Sequence, residues 1–423
     1  MSSLEAAPSP RRASLPRWLK RLLALLAVLG PGLIAANAGN DAGGIITYAS
    51  AGAQFGYRTL FLMVLITVAL VVVQEMCSRL GAYTGQGLGA LIREQFPIRS
   101  SAAAMVLLFV ANAGLTVSEF AGIGASMELF GISRYIAVPV ALVGIWLVTV
   151  LGSYSRAERV FLVMGLVFIA YPIAAILGHP HAGVVLSNLL WPHFLHTNAF
   201  LLLAVALVGT TITPYMQFYV ASAVVDKGVT PNTYRGERFD TVNGAILSNV
   251  VSIFIIIATA AAIGGTGALD SVRQASEALQ PVAGAAAAQL FAFGLLGASL
   301  LAATVVPLSS AYAIAETAGV ERSMSCKLRQ APVFYGLYTL QLVVGALIAL
   351  LPGNLVELVI KAQVLNGFIT PVLLTYILIL ANRRSVLGKA ANGPVFRAVA
   401  TVCVAVVGTL SAVVLIQTIA GSV

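Results

Sequence analysis

The stretch Ala38-Gly39-Asn40-Asp41-Ala42-Gly43-Gly44 lies in the middle of an apolar run covering residues 20–56. Glycine in a helix interior costs about 1 kcal/mol relative to alanine, so glycines clustered around an acidic residue predict a break there. A second apolar run, 199–226, is interrupted at Gly209-Thr210-Thr211-Ile212-Thr213-Pro214-Tyr215. Pro214 has no N–H, and its ring clashes with the carbonyl four residues earlier. Taken singly, each feature has a plainer reading. A proline often only kinks a membrane helix, and Asp41 can simply cap the half-helix that follows it. Unwound backbone inside a bilayer, however, is tolerated only where it is buried in protein or lines a cavity. The two breaks together therefore predict a pair of discontinuous helices that frame a site.

The rest of the chain supplies the membrane. Of 423 residues, 59% are hydrophobic and only 9% are charged, whereas a soluble domain carries roughly a quarter charged residues. So few charges cannot cover a soluble globule of this size. A soluble enzyme, a disordered chain and a secreted disulfide scaffold are excluded in favour of a polytopic membrane protein. The apolar stretches predict eleven spans, at 20–56 (interrupted), 59–78, 102–130, 135–152, 159–178, 199–226 (interrupted), 243–265, 284–317, 333–351, 355–381 and 395–420. The runs are long, rich in Leu, Ala and Val, and not alternating, so they read as helices rather than barrel strands. Cys77, Cys326 and Cys403 lie far apart and imply neither a disulfide framework nor a thiolate metal site.

Counting basic residues by connection tests the number of spans. With the N-terminus inside, the inner segments hold Arg11, Arg12, Arg17, Lys20, Arg21, Arg79, Arg93, Arg99, Arg156, Arg159, Lys227, Arg235, Arg238, Arg322, Lys327, Arg329, Arg383, Arg384, Lys389 and Arg397, 20 in all. The outer segments hold only Arg58, Arg134 and Arg273, and Lys361 falls within a span. A 20-to-3 split is a strong positive-inside signal for a cell-membrane protein with its N-terminus in the cytoplasm and its C-terminus outside. The net charge of +9 then reflects topology and contact with anionic lipid, not nucleic acid. Ala36-Asn37-Ala38 after an apolar run resembles a signal-peptide cleavage site, but the alternation of charge works best when this segment stays as span one.

The breaks fall in spans one and six. Five spans apart means that the two broken helices run in opposite directions. Two five-helix halves would then be related by an axis in the membrane plane, with the binding site near the midplane at the paired breaks. The expected fold is an all-α polytopic membrane protein with a LeuT-type five-plus-five inverted repeat and discontinuous helices one and six. Its parts are a basic cytoplasmic tail at 1–19, a first repeat at 20–178, a second at 199–382, and a cytoplasmic loop with an extra eleventh helix at 383–423.

Ionisable groups inside spans are functional candidates, and they are few: Asp41, Glu75, Glu119, Glu316 and Lys361. Glu75 and Glu316 fall near the cytoplasmic ends of spans two and eight, where solvation or ion pairing accounts for them. Lys361 reads as a paired or snorkelling residue. Glu119 sits well inside span three. Asp41 is the strongest candidate, because a carboxylate beside freed carbonyls makes an oxygen-rich cation site. Thr210 and Thr213 add further oxygens. No Cys, Met or His falls at either break; Met216 follows on the second half-helix. Hard oxygen ligands suit Mg²⁺, Ca²⁺ or Mn²⁺ rather than soft transition metals. Gly44 leaves room for a partly hydrated ion, and Mg²⁺ usually retains several waters. His179, His181, His193 and His196 all fall in the outside connection after span five and read as a solvated loop.

These residues also carry a family resemblance. The stretch from Gly30-Pro31-Gly32 to Ala51-Gly52-Ala53-Gln54-Phe55-Gly56-Tyr57, then Ser78-Arg79-Leu80-Gly81 with Thr84-Gly85, Glu119, Thr213-Pro214-Tyr215 and Ala362-Gln363-Val364 resemble the Nramp divalent-metal transporters in family order, over most of residues 22–385. The departures are specific. The family's Asp-Pro-Gly-Asn is here Asp41-Ala42-Gly43-Gly44, so the metal-binding Asp is kept and the Asn ligand is lost. Its Met-Pro-His is here Thr213-Pro214-Tyr215, which removes the sulfur that favours transition metals and the histidine implicated in proton transfer. An Asp usual three residues before Glu119 is here Thr116. In these losses the chain is similar to the Nramp-related magnesium transporters, a branch that carries Mg²⁺ and Mn²⁺ without proton coupling.

The resemblance thus implies a secondary transporter, not an enzyme, with no cofactor and no obligate protein partner. Its cargo would be a hydrated Mg²⁺ or Mn²⁺ held by Asp41, Thr210 and Thr213 beside Gly44, with Ala42, Thr116, Glu119, Tyr215, Gln363 and Asn366 lining the cavity or standing at coupling positions. Thr116 and Tyr215 do not titrate near neutral pH, so weak or absent proton coupling is expected. Two alternatives stay open: a proton-coupled Mn²⁺/Fe²⁺ transporter, and a sodium-coupled amino-acid or amine transporter on the same framework.

Overall fold

In the computed structural model, residues 41–150, 160, 161, 163, 164, 166–195, 197–320 and 328–420 are described. The expected tail at 1–19, the first half of span one with Gly30-Pro31-Gly32 and Ala36-Asn37-Ala38, and Arg156, Arg159, His196, Arg322, Cys326 and Lys327 lie outside these residues. Every described regular element is helical.

The second half of span one is α1 (Ala42–Phe55). A short 3-10 turn at Gly56–Thr59 leads to α2 (Leu60–Thr84), and a short α3 (Leu88–Gln95) precedes the long α4 (Ile98–Leu129) of span three. Span four is α5 (Arg134–Val150). Span five ends in α6 (Ala170–Leu177), and α7 (Ala182–Leu190) follows it. Span six is split into α8 (Asn198–Thr211) and α9 (Pro214–Asp226). Then come α10 (Tyr234–Ile263), α11 (Ala287–Ala318), α12 (Pro332–Ala349), α13 (Leu355–Asn382) and α14 (Pro394–Ile419) for spans seven to eleven. Among the described residues eight helical segments are long and apolar enough to cross a bilayer, or nine if the bent pair around α6 and α7 counts as one. One of the eight joins α1 to α2, and the 17-residue α5 is shorter than the rest. With these separated, all eleven expected spans have a described counterpart.

Local chemistry sets the helix ends. Asp41, Thr197 and Asn354 cap α1, α8 and α13 through their side chains, each satisfying a backbone donor that lacks an intrahelical partner. Proline opens α9, α12 and α14, where its missing N–H is harmless. Span seven starts at Tyr234 rather than at 243. Its first turns carry Arg235, Glu237, Arg238 and Asp240. Hydropathy marks only the bilayer-embedded part, whereas the hydrogen-bonded helix continues past it.

Spans three, eight, nine and ten form the packed body, with α4 against α11, α12 and α13, while α1 packs on α10, α8 and α13. At the arginine-rich end, Glu75 is buried and paired with Arg79 at 3.2 Å and Arg238 at 3.3 Å, and it accepts from Tyr234 Oη at 3.0 Å. Glu316 borders a cavity of about 670 Å³ together with Tyr219, Asp226 and Lys227. Lys361 is exposed and pairs with Glu357 at 2.6 Å.

One expectation is corrected. The connection after span five is not simply a solvated loop: it folds into the apolar helix α7, set at 116° to the end of span five. The segment reads Ala-Gly-Val-Val-Leu-Ser-Asn-Leu-Leu. It is too short to register as a span but apolar enough to fold along the body. His181 stands before its first turn, and the His193 ring nitrogen Nδ1 lies 2.9 Å from the Trp191 carbonyl. Among the described residues no three His, Cys, Asp or Glu side chains gather in a way that could hold a metal ion.

Candidate metal site at the paired breaks

The first turn of α1 has N–H groups with no partner inside the helix. Two carboxylates take them. Asp41, directly before the helix, accepts from Gly44 N–H at 2.7 Å. Glu119, from the middle of α4, accepts through Oε2 from Ala42 N–H at 3.2 Å, and Gly43 N–H donates to the same carboxylate. Both acids are buried, Glu119 fully and Asp41 at 4% exposure. The positive end of the helix dipole favours negative charge there, yet two buried carboxylates exceed what one helix end can neutralise. A further cation, or a proton on one of the acids, would complete the balance.

The break in span six supplies neutral oxygens. Pro214 opens α9 and offers no N–H, so the turn cannot close on Thr210 and α8 ends at Thr211. Asn366, on α13, donates to the Gly209 carbonyl at 2.7 Å. The hydroxyls of Thr210 and Thr213 are buried and have no hydrogen-bond partner. The Thr213 carbonyl accepts from Gln217 at 3.3 Å.

Gly44 joins the two breaks. A Cβ there would stand 3.3 Å from Asp41 Oδ1 and 3.4 Å from Thr210 Oγ1, with the Tyr48 ring at 3.2 Å. Gly43 serves the neighbouring wall: its missing Cβ leaves the space occupied by the Gln363 amide, and Ser118 Oγ would be 2.9 Å away. Gln363 donates to Ser118 at 3.4 Å. Beyond the two threonines, Glu119 Oε1, Gln363 Oε1 and Asn366 Oδ1 are buried without a partner. Five partnerless oxygens thus lie around the two breaks and on the helices packed against them. An unsatisfied buried polar atom costs about 1–3 kcal/mol, and such atoms in a native structure call for an ion or water.

Asp41, Ala42, Gly44, Thr210, Glu119, Gln363 and Asn366 therefore come together, with Thr213 at the edge of the break. Of the other predicted positions, Thr116 stands apart, whereas Tyr215 is within electrostatic reach of Asp41 and Glu119. Thr116 donates back to the Asn112 carbonyl at 2.7 Å, and its methyl group packs where a side chain on Gly345 would go. It lies in the seam between α4 and α12. Tyr215 is packed with Leu115, Ala302 and Val306, one turn from Phe218 and Tyr219, which border the large cavity. Sequence reasoning missed Ser118, whose position beside Glu119 was the available signal. It also missed the Tyr48 hydroxyl, 2.9 Å from Thr211 Oγ1, for which the sequence offered none.

Comparison with known proteins agrees with this architecture. The family described as natural resistance-associated macrophage protein-like (Nramp) matches residues 32–417. The chain is 28% identical over 405 residues to a divalent metal cation transporter, MntH, of Aeromonas hydrophila, covering 93% of this chain and 96% of that one. A MntH of Yersinia pestis is 29% identical over 294 residues, 67% of this chain and 71% of the relative. In fold the chain is similar to a manganese transporter of Eremococcus coleocola, with a TM-score of 0.71 at 20% identity over 94% of this chain and 87% of that one. It is also similar to Mhp1, a nucleobase-cation-symport-1 family transporter, with a TM-score of 0.53 at 17% identity over 91% and 90%. A family match across nearly the whole chain, on an all-helical polytopic framework of the LeuT type, places this multi-pass membrane protein in the Nramp family.

Proposed function

We propose that the chain is a secondary transporter that moves divalent cations, Mg²⁺ and Mn²⁺, by alternating access and without coupled proton movement, as in the magnesium-carrying branch. The observation that carries this reading is the ring of oxygens at the paired breaks. Asp41 supplies charge, Glu119 steadies the start of α1, and Thr210, Thr213, Gln363 and Asn366 supply neutral oxygens that lack partners. This all-oxygen set favours hard ions. Asp41 and Thr210 act as direct ligands beside Gly44, and the ion keeps part of its water. Residues 20–178 and 199–382 form the inverted halves that rock against each other. The arginine-rich face lies in the cytoplasm, with the N-terminus on that side and the C-terminus opposite.

A second reading has support of its own: several similar proteins bear the names of manganese or divalent metal cation transporters, and Glu119 remains a buried acid beside Asp41. This reading is a proton-coupled Mn²⁺ transporter. Purified protein in liposomes separates the two when Mg²⁺ uptake, Mn²⁺ uptake and internal pH are followed together. Uptake of both ions at constant internal pH is expected. Metal-driven acidification establishes coupling instead, and uptake of neither ion removes the metal reading altogether.

A further inference from the structure

The helix α7 has no buried residue. Val184, Leu186 and Leu190 are 47%, 56% and 60% exposed, and Trp191, which follows the helix, is 68% exposed. Its other side packs on the body through Val185 and Leu189. A soluble surface would not carry such a row. Three observations say what covers it. The 116° bend after span five turns the helix from the span direction toward the bilayer plane. The end of span five just before it is also apolar on its outward side, where Ile173, Ile176 and Leu177 are exposed. Trp191 stands at its end and His179, His181 and His193 flank it, with exposed Arg58 in the 3-10 turn that α7 packs against. Apolar residues with tryptophan and cationic or polar neighbours are what the headgroup boundary of a bilayer favours.

The segment is also tied to the broken helices. Phe194, just past it, meets Phe61 of α2 at 6.0 Å and Phe200 of α8 at 6.4 Å. Phe200 in turn meets Phe55 at the end of α1 at 5.1 Å. Edge-to-face aromatic contacts at these spacings are each worth about 0.5–1.5 kcal/mol beyond area burial.

We propose that α7 lies in the lipid–water interface of the leaflet opposite the arginine-rich face, and that it anchors the ends of α1 and α8 to the bilayer through these phenylalanines. A variant with Trp18→Phe and Trp146→Phe leaves Trp191 as the sole tryptophan. In phosphatidylcholine liposomes its fluorescence should be quenched by lipids brominated high on the acyl chain at least about twice as strongly as by lipids brominated near the chain end, and only weakly by aqueous iodide. Strong iodide quenching without a bromine effect overturns the proposal in favour of a water-facing helix, and weak quenching by both agents overturns it in favour of a protein-covered one. Should that variant not fold, a nitroxide at Leu186→Cys gives the same reading, with labelled wild-type protein as background. Collisions dominated by oxygen support the lipid seat, and collisions dominated by a water-soluble nickel complex refute it. For the anchoring, Leu186→Asp in liposomes is expected to lower the maximal uptake rate about threefold with KM unchanged. An unaltered rate removes the link to the broken helices.

Discussion

The two breaks look alike in sequence, each a short glycine- or threonine-rich interruption of an apolar run, but they end up with opposite chemistry. At the span-one break a helix begins, so the backbone offers donors, and carboxylates from two different helices take them. At the span-six break α8 ends at Thr211 and α9 begins at Pro214, and a neutral amide, Asn366, holds the Gly209 carbonyl near the end of α8. Formal charge therefore enters from one side only, while the other contributes uncharged oxygens. The difference teaches that an inverted pair of breaks builds an asymmetric site. A helix start attracts anions, and both acids collect at the start of α1, whereas the first turn of α9 carries none.

Changes at each break should bring out this contrast. The largest effect is expected from Asp41→Ala, which removes a charged ligand. Uptake in liposomes should fall below about one hundredth of wild type, since even an outer-shell partner of a metal site typically accounts for 10–100-fold. Intact transport would show the ion to sit elsewhere. Next comes Gly209→Ala on the neutral side. A Cβ there would stand 2.2 Å from the Gln363 carbonyl oxygen and 2.5 Å from Gly367 N, both backbone atoms. Overpacking of this kind costs roughly 1–3 kcal/mol, so the thermal midpoint should drop along with transport. A variant as stable as the parent would mean that α8 and α13 can separate freely.

Thr213→Met tests whether neutral hard oxygen sets selectivity. Sulfur favours softer ions, and Cd²⁺ uptake relative to Mg²⁺ should rise about tenfold in a competition assay; an unchanged ratio would take Thr213 out of the site. Glu119 can be probed by a pair of variants. Gln keeps an oxygen that can accept from Ala42 N–H, whereas Ala does not, and loss of a helix cap costs about 1 kcal/mol. Uptake by Glu119→Ala should fall roughly five- to tenfold, and Glu119→Gln should retain most of the rate. Equal loss in both would assign Glu119 a role through its charge instead. The smallest effect is expected for Asn366→Ala, a rise in KM of about threefold at unchanged maximal rate, because the amide steadies a carbonyl rather than supplying charge.

Much of this was legible in the chain. Composition and the one-sided distribution of Lys and Arg fixed a helical membrane protein and the number of its spans, because burying charge in hydrocarbon is costly wherever it occurs. The glycines around Asp41 and Pro214 announced the breaks because glycine and proline act locally. Hydropathy could not see the charged first turns of α10, which extend the helix beyond the bilayer. Nor did it separate α7 from a loop, since a nine-residue apolar helix is stabilised by packing and lipid rather than by length. Thr116 illustrates the opposite limit. Three residues from Glu119, it was expected near the cavity, yet the helical turn carries it toward Gly345 in another seam.

Sequence alone thus determined the class and the spans, since these depend on residue type and period. The family resemblance suggested Glu119, Gln363 and Asn366 for the cavity, but only the tertiary structure showed which backbone and side-chain groups they meet there. Those contacts join distant residues, 157 positions apart for Asn366 and Gly209 and 245 for Gln363 and Ser118. They depend on the close approach that Gly43, Gly44 and Gly209 permit, and no local pattern encodes which distant side chain fills the space a glycine leaves.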